Sequence, residues 1–157
     1  LVDLASVMVG ARGQQCSDEF YSSPSNLLMP GQGSNMGDGW ETRRRRDDGH
    51  DWCIIKFGIP GSIRRVVVDT AHFKGNYPDH FSLEATCSEA TDLQPEQASW
   101  QTVIAETPLR ADQVHIFLKQ ILCDPDQQFT HVRLNIFPDG GVSRLRIFGC
   151  PDWEAVT

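Results

Sequence analysis

Short segments in which apolar and polar side chains alternate recur along this chain, and they leave few folds open to it. In 132–136, Val132, Leu134 and Ile136 alternate with Arg133 and Asn135, the pattern of a strand with one face buried. Segments 52–57, 63–68, 81–86, 102–105, 114–118 and 144–148 are further strand candidates. Turn signals separate several of them: Gly58–Pro60–Gly61, Gly75–Asn76–Pro78 and Pro138–Asp139–Gly140–Gly141. Many short strands with Gly/Pro-rich turns predict an all-β antiparallel sandwich or barrel. Helical signal is thin: 88–97 has room for a turn or two, and Pro95 limits its length. The first forty residues read as irregular, with loops at 22–26 and 31–33, and long loops of this kind are often functional. A length of 157 residues suits one domain with its own core.

Composition removes several function classes. The formal net charge of −7 argues against nucleic acid as the main partner, because counterion release needs a broad basic surface. No apolar run approaches the roughly 18 residues of a membrane-spanning helix. The cysteines at 16, 53, 87, 123 and 150 form no CxxC pair and no zinc spacing, and their odd number leaves one over in any disulfide scheme. Reduced thiols in a cytoplasmic compartment are expected, with Cys53 acting as a small hydrophobe in a strand. The chain starts at Leu1 with no basic and apolar leader behind it, so a processed or excised piece of something longer is expected.

Charge is concentrated in 36–56, MGDGWETRRRRDDGHDWCIIK. Arginines cannot lose their charge, and their fork matches a carboxylate or phosphate bidentately. Asp38, Trp40, Glu41, Arg43, Arg44, Arg45, Arg46, His50 and Asp51 form a first constellation on a loop entering the 52–57 strand. The bland alternative is a surface ion-pair cluster with Trp40 and Trp52 as core anchors. A second constellation, Asp18 and Glu19 before Phe20 and Tyr21, offers a general acid or base or oxygen ligands; equally, Asp18 caps a turn while Phe20 packs. A third, His72, Lys74 and Asn76, sits where a strand passes into a tight turn, and Asn76 there is a candidate for left-handed backbone. A fourth, 138–146, reads most simply as a hairpin across two glycines, with Arg144 able to point from it towards a ligand. No nucleophile elbow, Walker motif or dinucleotide fingerprint is present.

Taken together, LVDLAS at 1–6, SDEFYSSPSNLL at 17–28, DGWETRRRR at 38–46, GHDWCIIK at 49–56, VDTAHFKGNYP at 68–78 and THVRLNIFPDGGVSRLRIFG at 130–149 resemble the allantoicase family. The resemblance spans 1–157 in the order of one family repeat. It implies a galactose-binding-like (discoidin-type) β-sandwich or jelly roll, and hydrolysis of allantoate to ureidoglycolate and urea. Family enzymes resemble tandem duplications of this domain, so a second allantoicase repeat and a homo-oligomer are the partners implied. An isolated repeat is then expected to expose apolar surface and self-associate.

Allantoate carries a carboxylate on a carbon bearing two ureido groups, so its enzyme must hold an anion and protonate departing urea. Arg43 and Arg45 are expected to hold the carboxylate, being on one face of an extended run. Arg44 and Arg46 are then solvated or paired with Asp47 and Asp48. Asp38, Trp40, Lys74, Asn76 and Arg144 are the further substrate-binding candidates. For proton transfer the candidates are Glu41, His50 and His72, with Asp18 and Glu19 behind them. No cofactor is required; oxygen and histidine ligands for a divalent metal exist, but no spacing demands one. The alternative function is a non-catalytic discoidin-like module binding a small ligand or carbohydrate, or serving assembly.

Overall fold

A computed structural model describes residues 1–156. Its strands in chain order are β1 (Val2–Asp3), β2 (Arg12–Cys16), β3 (Trp40–Glu41), β4 (Asp51–Asp69), β5 (His80–Thr86), β6 (Gln101–Pro108), β7 (Val114–Phe117), β8 (Phe129–Phe137), β9 (Gly141–Val142) and β10 (Arg144–Pro151). All strand pairings among the described residues are antiparallel, and the strand order runs β1-β10-β4-β8-β5-β6, with β2 and β7 also on β4 and with β3 paired to β9. The predicted antiparallel sandwich is what forms.

Its organiser is β4. The first part pairs with β2 and β8, placing Cys53 opposite Cys16 and Leu134. The last part pairs with β10 and β7, placing Val68 opposite Leu145 and His115. Between them the register shifts from Lys56 to Gly61. The expected turn at Gly58–Pro60–Gly61 is therefore corrected: the strand bends there without reversing. Gly58 lies so close to the 9–10 backbone that a Cβ would stand 2.1 Å from the Val9 carbonyl oxygen, so the contact supports a bend into the second layer.

One apolar core fills the sandwich. Cys53, Ile55 and Phe57 from the first part of β4 join Val66 and Val68 from the last part, and they meet Leu134 and Ile136 of β8 and Leu145 and Ile147 of β10. Each such side chain contributes roughly 1.5–3 kcal/mol on burial.

Three further expectations change. The 138–146 hairpin is not formed, because β4 lies between β8 and β10. Instead Gly141–Val142 turns aside to pair with Trp40–Glu41. Gly140 has φ +121, and a Cβ on Gly141 would stand 1.9 Å from the Phe73 ring, so this passage needs both glycines. Asn76 is not left-handed; among the described non-glycine residues His72 (φ 75) and Asp112 (φ 48) are. Finally, the first forty residues are not wholly irregular, since β1 and β2 join the sheet and short 3-10 turns start at Val7, Pro24 and Met36. The 88–97 segment holds a single 3-10 turn, Pro95–Gln97. No helix among the described residues is long and apolar enough to cross a membrane.

Candidate functional site

The arginine run crosses one end of the sandwich, held by its backbone. Trp40 is fully buried and donates its indole N–H to the Asp18 carbonyl at 2.9 Å, which fixes where the run begins. Thr42 exchanges hydrogen bonds with Gly140, its amide donating at 3.0 Å and its hydroxyl accepting at 3.1 Å. The Arg43 amide donates to the Asp18 carboxylate at 3.1 Å, and the Arg45 amide to the Asp139 carboxylate at 2.7 Å. Two acids that could have neutralised guanidinium groups are thus bound to main-chain N–H groups.

The four side chains consequently differ. Arg45 turns back: its Nε donates to Asp47 at 3.0 Å and its Nη1 to Asp51 at 2.7 Å. Asp51 is buried and also accepts the Ser17 hydroxyl at 2.9 Å. Hydrogen bonding to Asp47, and then to Asp51, raises the Arg45 pKa; the same contact, with the Gly49 amide, lowers that of Asp47. Arg43 stands over the Phe20 ring at 4.2 Å. Arg44 and Arg46 are exposed, and among the described residues neither these two guanidiniums nor that of Arg43 has a carboxylate partner.

Beside this run lies a cleft of about 390 Å³ lined by Tyr21, Glu41, Arg44, Gly75, Asn76 and Asp139. The Asn76 side-chain amide donates to the Glu41 carboxylate, which is held facing the cleft. A second hollow of about 380 Å³ follows Asp18 and Arg43 to Asp47. Together they offer exposed guanidinium forks next to an oriented carboxylate, an arrangement suited to holding an anion while a proton moves.

Of the predicted site residues, Glu41 and Asn76 line the cleft and Asp18 and Arg43 the adjoining hollow, with Arg44 common to both and Trp40 as the anchor of the loop. The others are placed differently. Arg45 is corrected from an anion-holding group to a structural one by its two acids. Arg144 is corrected likewise: it is buried, and it donates to the carbonyls of Gly31 at 3.0 Å, Asp38 at 2.6 Å and Ser143 at 2.8 Å. Burial lowers its pKa. The Asp38 carboxylate accepts the Ser34 amide at 2.7 Å, and the His72 Nε2 donates to the Gly33 carbonyl at 2.6 Å. These contacts tie down the 31–38 loop. His50 lies elsewhere, stacked on Phe137 at 4.5 Å with its Nε2 3.2 Å from the Asn135 amide oxygen. Lys74 is exposed. Glu19 is exposed and accepts the Cys16 thiol, whose pKa burial and then Glu19 push up to about 11.

Arg44, Tyr21 and Asp139 are the lining residues that the sequence reading did not select. Asp139 was hidden in a glycine-rich run that reads as a hairpin, and Arg44 by the assumption of strict alternation. Among the described residues, no group of three or more His, Cys, Asp or Glu side chains is placed to hold a metal ion.

Comparison with known proteins bears on this geometry. The model of the allantoicase repeat matches residues 2–152. The chain belongs to the allantoicase family. It is 52% identical over 151 residues to a probable allantoicase of Photobacterium profundum, an alignment covering 94% of this chain and 45% of that protein. A crystal structure of allantoicase from Saccharomyces cerevisiae superimposes with a TM-score of 0.82 at 37% identity, covering 95% of this chain and 43% of that one. The chain thus spans less than half the length of these family members. A family 32 carbohydrate-binding module from Streptococcus pneumoniae EndoD shares the fold, with a TM-score of 0.63 at 12% identity.

Proposed function

We propose that the cleft beside the arginine run takes part in hydrolysing allantoate to ureidoglycolate and urea. One observation carries the reading: with Asp18 and Asp139 bound to backbone amides, Arg44 keeps an unpaired guanidinium in the same cleft as Glu41, and Arg43 lines the adjoining hollow. Family membership supports it by supplying the reaction, and the relatives' greater length supports a second repeat as partner; a homo-oligomer is part of the proposal. The free state of the cysteines at 16, 53, 87, 123 and 150 suits a reducing cytoplasm.

In this mechanism Arg44 holds the substrate carboxylate, which places the central carbon next to Glu41, and Arg43 adds positive charge from the adjoining hollow. The Glu41 carboxylate takes a proton from water and passes it to the departing ureido nitrogen as the C–N bond breaks, and urea leaves with the bonding pair. The lone pair of the remaining ureido nitrogen stabilises the carbon as an iminium-type species. The hydroxide left by that water adds to the carbon, giving ureidoglycolate and the original carboxylate. Asn76 keeps the carboxylate aimed at the cleft. The reading draws on side chains and water, with no cofactor.

Urea release from the chain, alone and joined to a second repeat, tests it. Glu41→Gln should lower kcat by about 10²–10⁴, the usual worth of a general acid–base group. Arg44→Ala should mainly raise KM. Absence of urea from both preparations overturns the proposal, and unchanged kcat in Glu41→Gln removes Glu41 from it.

A further inference from the structure

A larger cleft, about 510 Å³, opens on the outer face of the sheet formed by β4, β8, β5 and β6. It is separate from the arginine run, and its volume lies in the range of small-molecule sites. The face it occupies is walled. Ile54, out of phase with the core residues Cys53 and Ile55, is nonetheless fully buried, as is His131. The 88–100 segment helps form that cover: Thr91 accepts the Gln14 side-chain amide at 3.1 Å, and the Trp100 ring lies 4.5 Å from the Arg133 guanidinium.

The floor is a polar ladder across three strands. Arg133 donates to Glu84 through Nε at 3.1 Å and Nη2 at 3.0 Å, and Asn135 donates to Glu84 at 2.6 Å and to Ser82 at 3.1 Å. Arg133 is therefore neutralised. At one end Phe137 is sandwiched between His50 and His80, at 4.5 and 4.6 Å. His80 in turn lies 3.0 Å from one oxygen of Glu106.

Several groups lining the space retain hydrogen-bonding capacity. The Trp52 indole N–H and the Thr102 hydroxyl have no partner among the described residues, the Ser82 hydroxyl has its proton free, and the second Glu106 oxygen is unused. Glu84 and Glu106 outnumber Arg133, so the lining repels anions and does not suit a carboxylate such as allantoate. What remains is a mixed set of donors and acceptors among aromatic rings. It fits a ligand that both donates and accepts hydrogen bonds around an apolar ring face.

We propose that this cleft binds a neutral hydroxylated ring, a monosaccharide unit, at a site distinct from the arginine-lined one. Trp52 supplies the platform and an indole donor, and Glu106 accepts a pair of hydroxyl protons. Anions are left to the arginine-lined cleft.

The test is a titration of the ¹⁵N-labelled chain with glucose, galactose and N-acetylglucosamine, reading the indole N–H resonances, with Trp52→Phe assigning that of Trp52. A saturable shift of the Trp52 resonance by at least one sugar is expected, with a Kd of ~1–10 mM. Glu106→Gln, an exposed change that leaves the fold intact, should weaken that binding by about fivefold or more, and Arg44→Ala should leave it unchanged. No saturable Trp52 shift with any of the sugars overturns the proposal. So does a shift that Glu106→Gln leaves unaltered, or one produced by allantoate and abolished by Arg44→Ala. Allantoate turnover is not used as a readout, so failure here is separate from failure of the hydrolase reading.

Discussion

Replacing Arg45 by alanine removes the guanidinium that faces Asp51, whose side chain is 0% exposed against 25% for Arg45. Asp51 would keep the Ser17 hydroxyl on one oxygen, while its other oxygen is buried and has no partner. Breaking a buried pair from one side typically costs about 3–5 kcal/mol. Arg45 is a quarter exposed, so water entering its place recovers part of this, leaving about 2–3 kcal/mol. For a chain of this size that corresponds to a fall in Tm of about 4–12 °C. Arg44→Ala deletes a side chain with no ion pair and should stay within about 0.5 kcal/mol of the parent. Thermal and urea unfolding at pH 7, followed by circular dichroism, separates the two variants. The gap should persist at about 0.5 M salt, because a buried pair is poorly screened. Equal melting temperatures for Arg45→Ala and Arg44→Ala would refute the division of the run into one structural and three open guanidiniums.

Burial, with Lys56 and Arg12 nearby, pushes His131 down to about 4. The unfolded chain protonates this group near its ordinary value of 6.5, so its contribution is complete above that pH and is lost as pH falls towards 4. The loss is on the order of 3 kcal/mol, and His131→Gln should flatten that part of a urea-stability profile; an unchanged slope counts against it. Gly141→Ala drives a methyl into the Phe73 ring and should destabilise by about 1–3 kcal/mol or more, measurable by urea midpoint; parent-like stability would mean the 140–142 passage can shift. Among the thiols, exposed Cys87 should react first with a disulfide reagent, while buried Cys53, whose pKa burial raises, and half-buried Cys16, pushed up to about 11, react slowly. Mass spectrometry of partially labelled protein gives the order, and early labelling of Cys16 would contradict its environment.

The fold was largely legible because alternation reports one-sided burial directly. Val132, Leu134 and Ile136 point into the core as their spacing requires. Strands formed where two residues per repeat was the whole signal, although in β7 the alternating Val114 and Ile116 face solvent and Phe117 is the buried residue. It failed where the outcome depends on a partner distant in sequence: the bend at Gly58 is set by the 9–10 backbone, and Gly141 pairs towards Trp40 because β4 occupies the place a hairpin would use. At the candidate site, residue types marked the right loop but not the direction of its side chains. Nothing local distinguishes Arg45 from Arg44; the difference arises from Asp51, Asp47 and the amide-binding acids. Arg144 looked available because charge is usually exposed, and only the folded chain brings three carbonyls to it.

The continuity of β4 bears on how the domain opens. A single uninterrupted strand contributes to both layers, so neither can be released while the other keeps its hydrogen bonds along that strand. Local fluctuations should be confined to loops and short edge strands, and the amides of Cys53, Ile55, Val66 and Val68 should exchange with solvent together, at the free energy of global unfolding. The sandwich then behaves as one cooperative unit that carries loops of much lower stability at its ends.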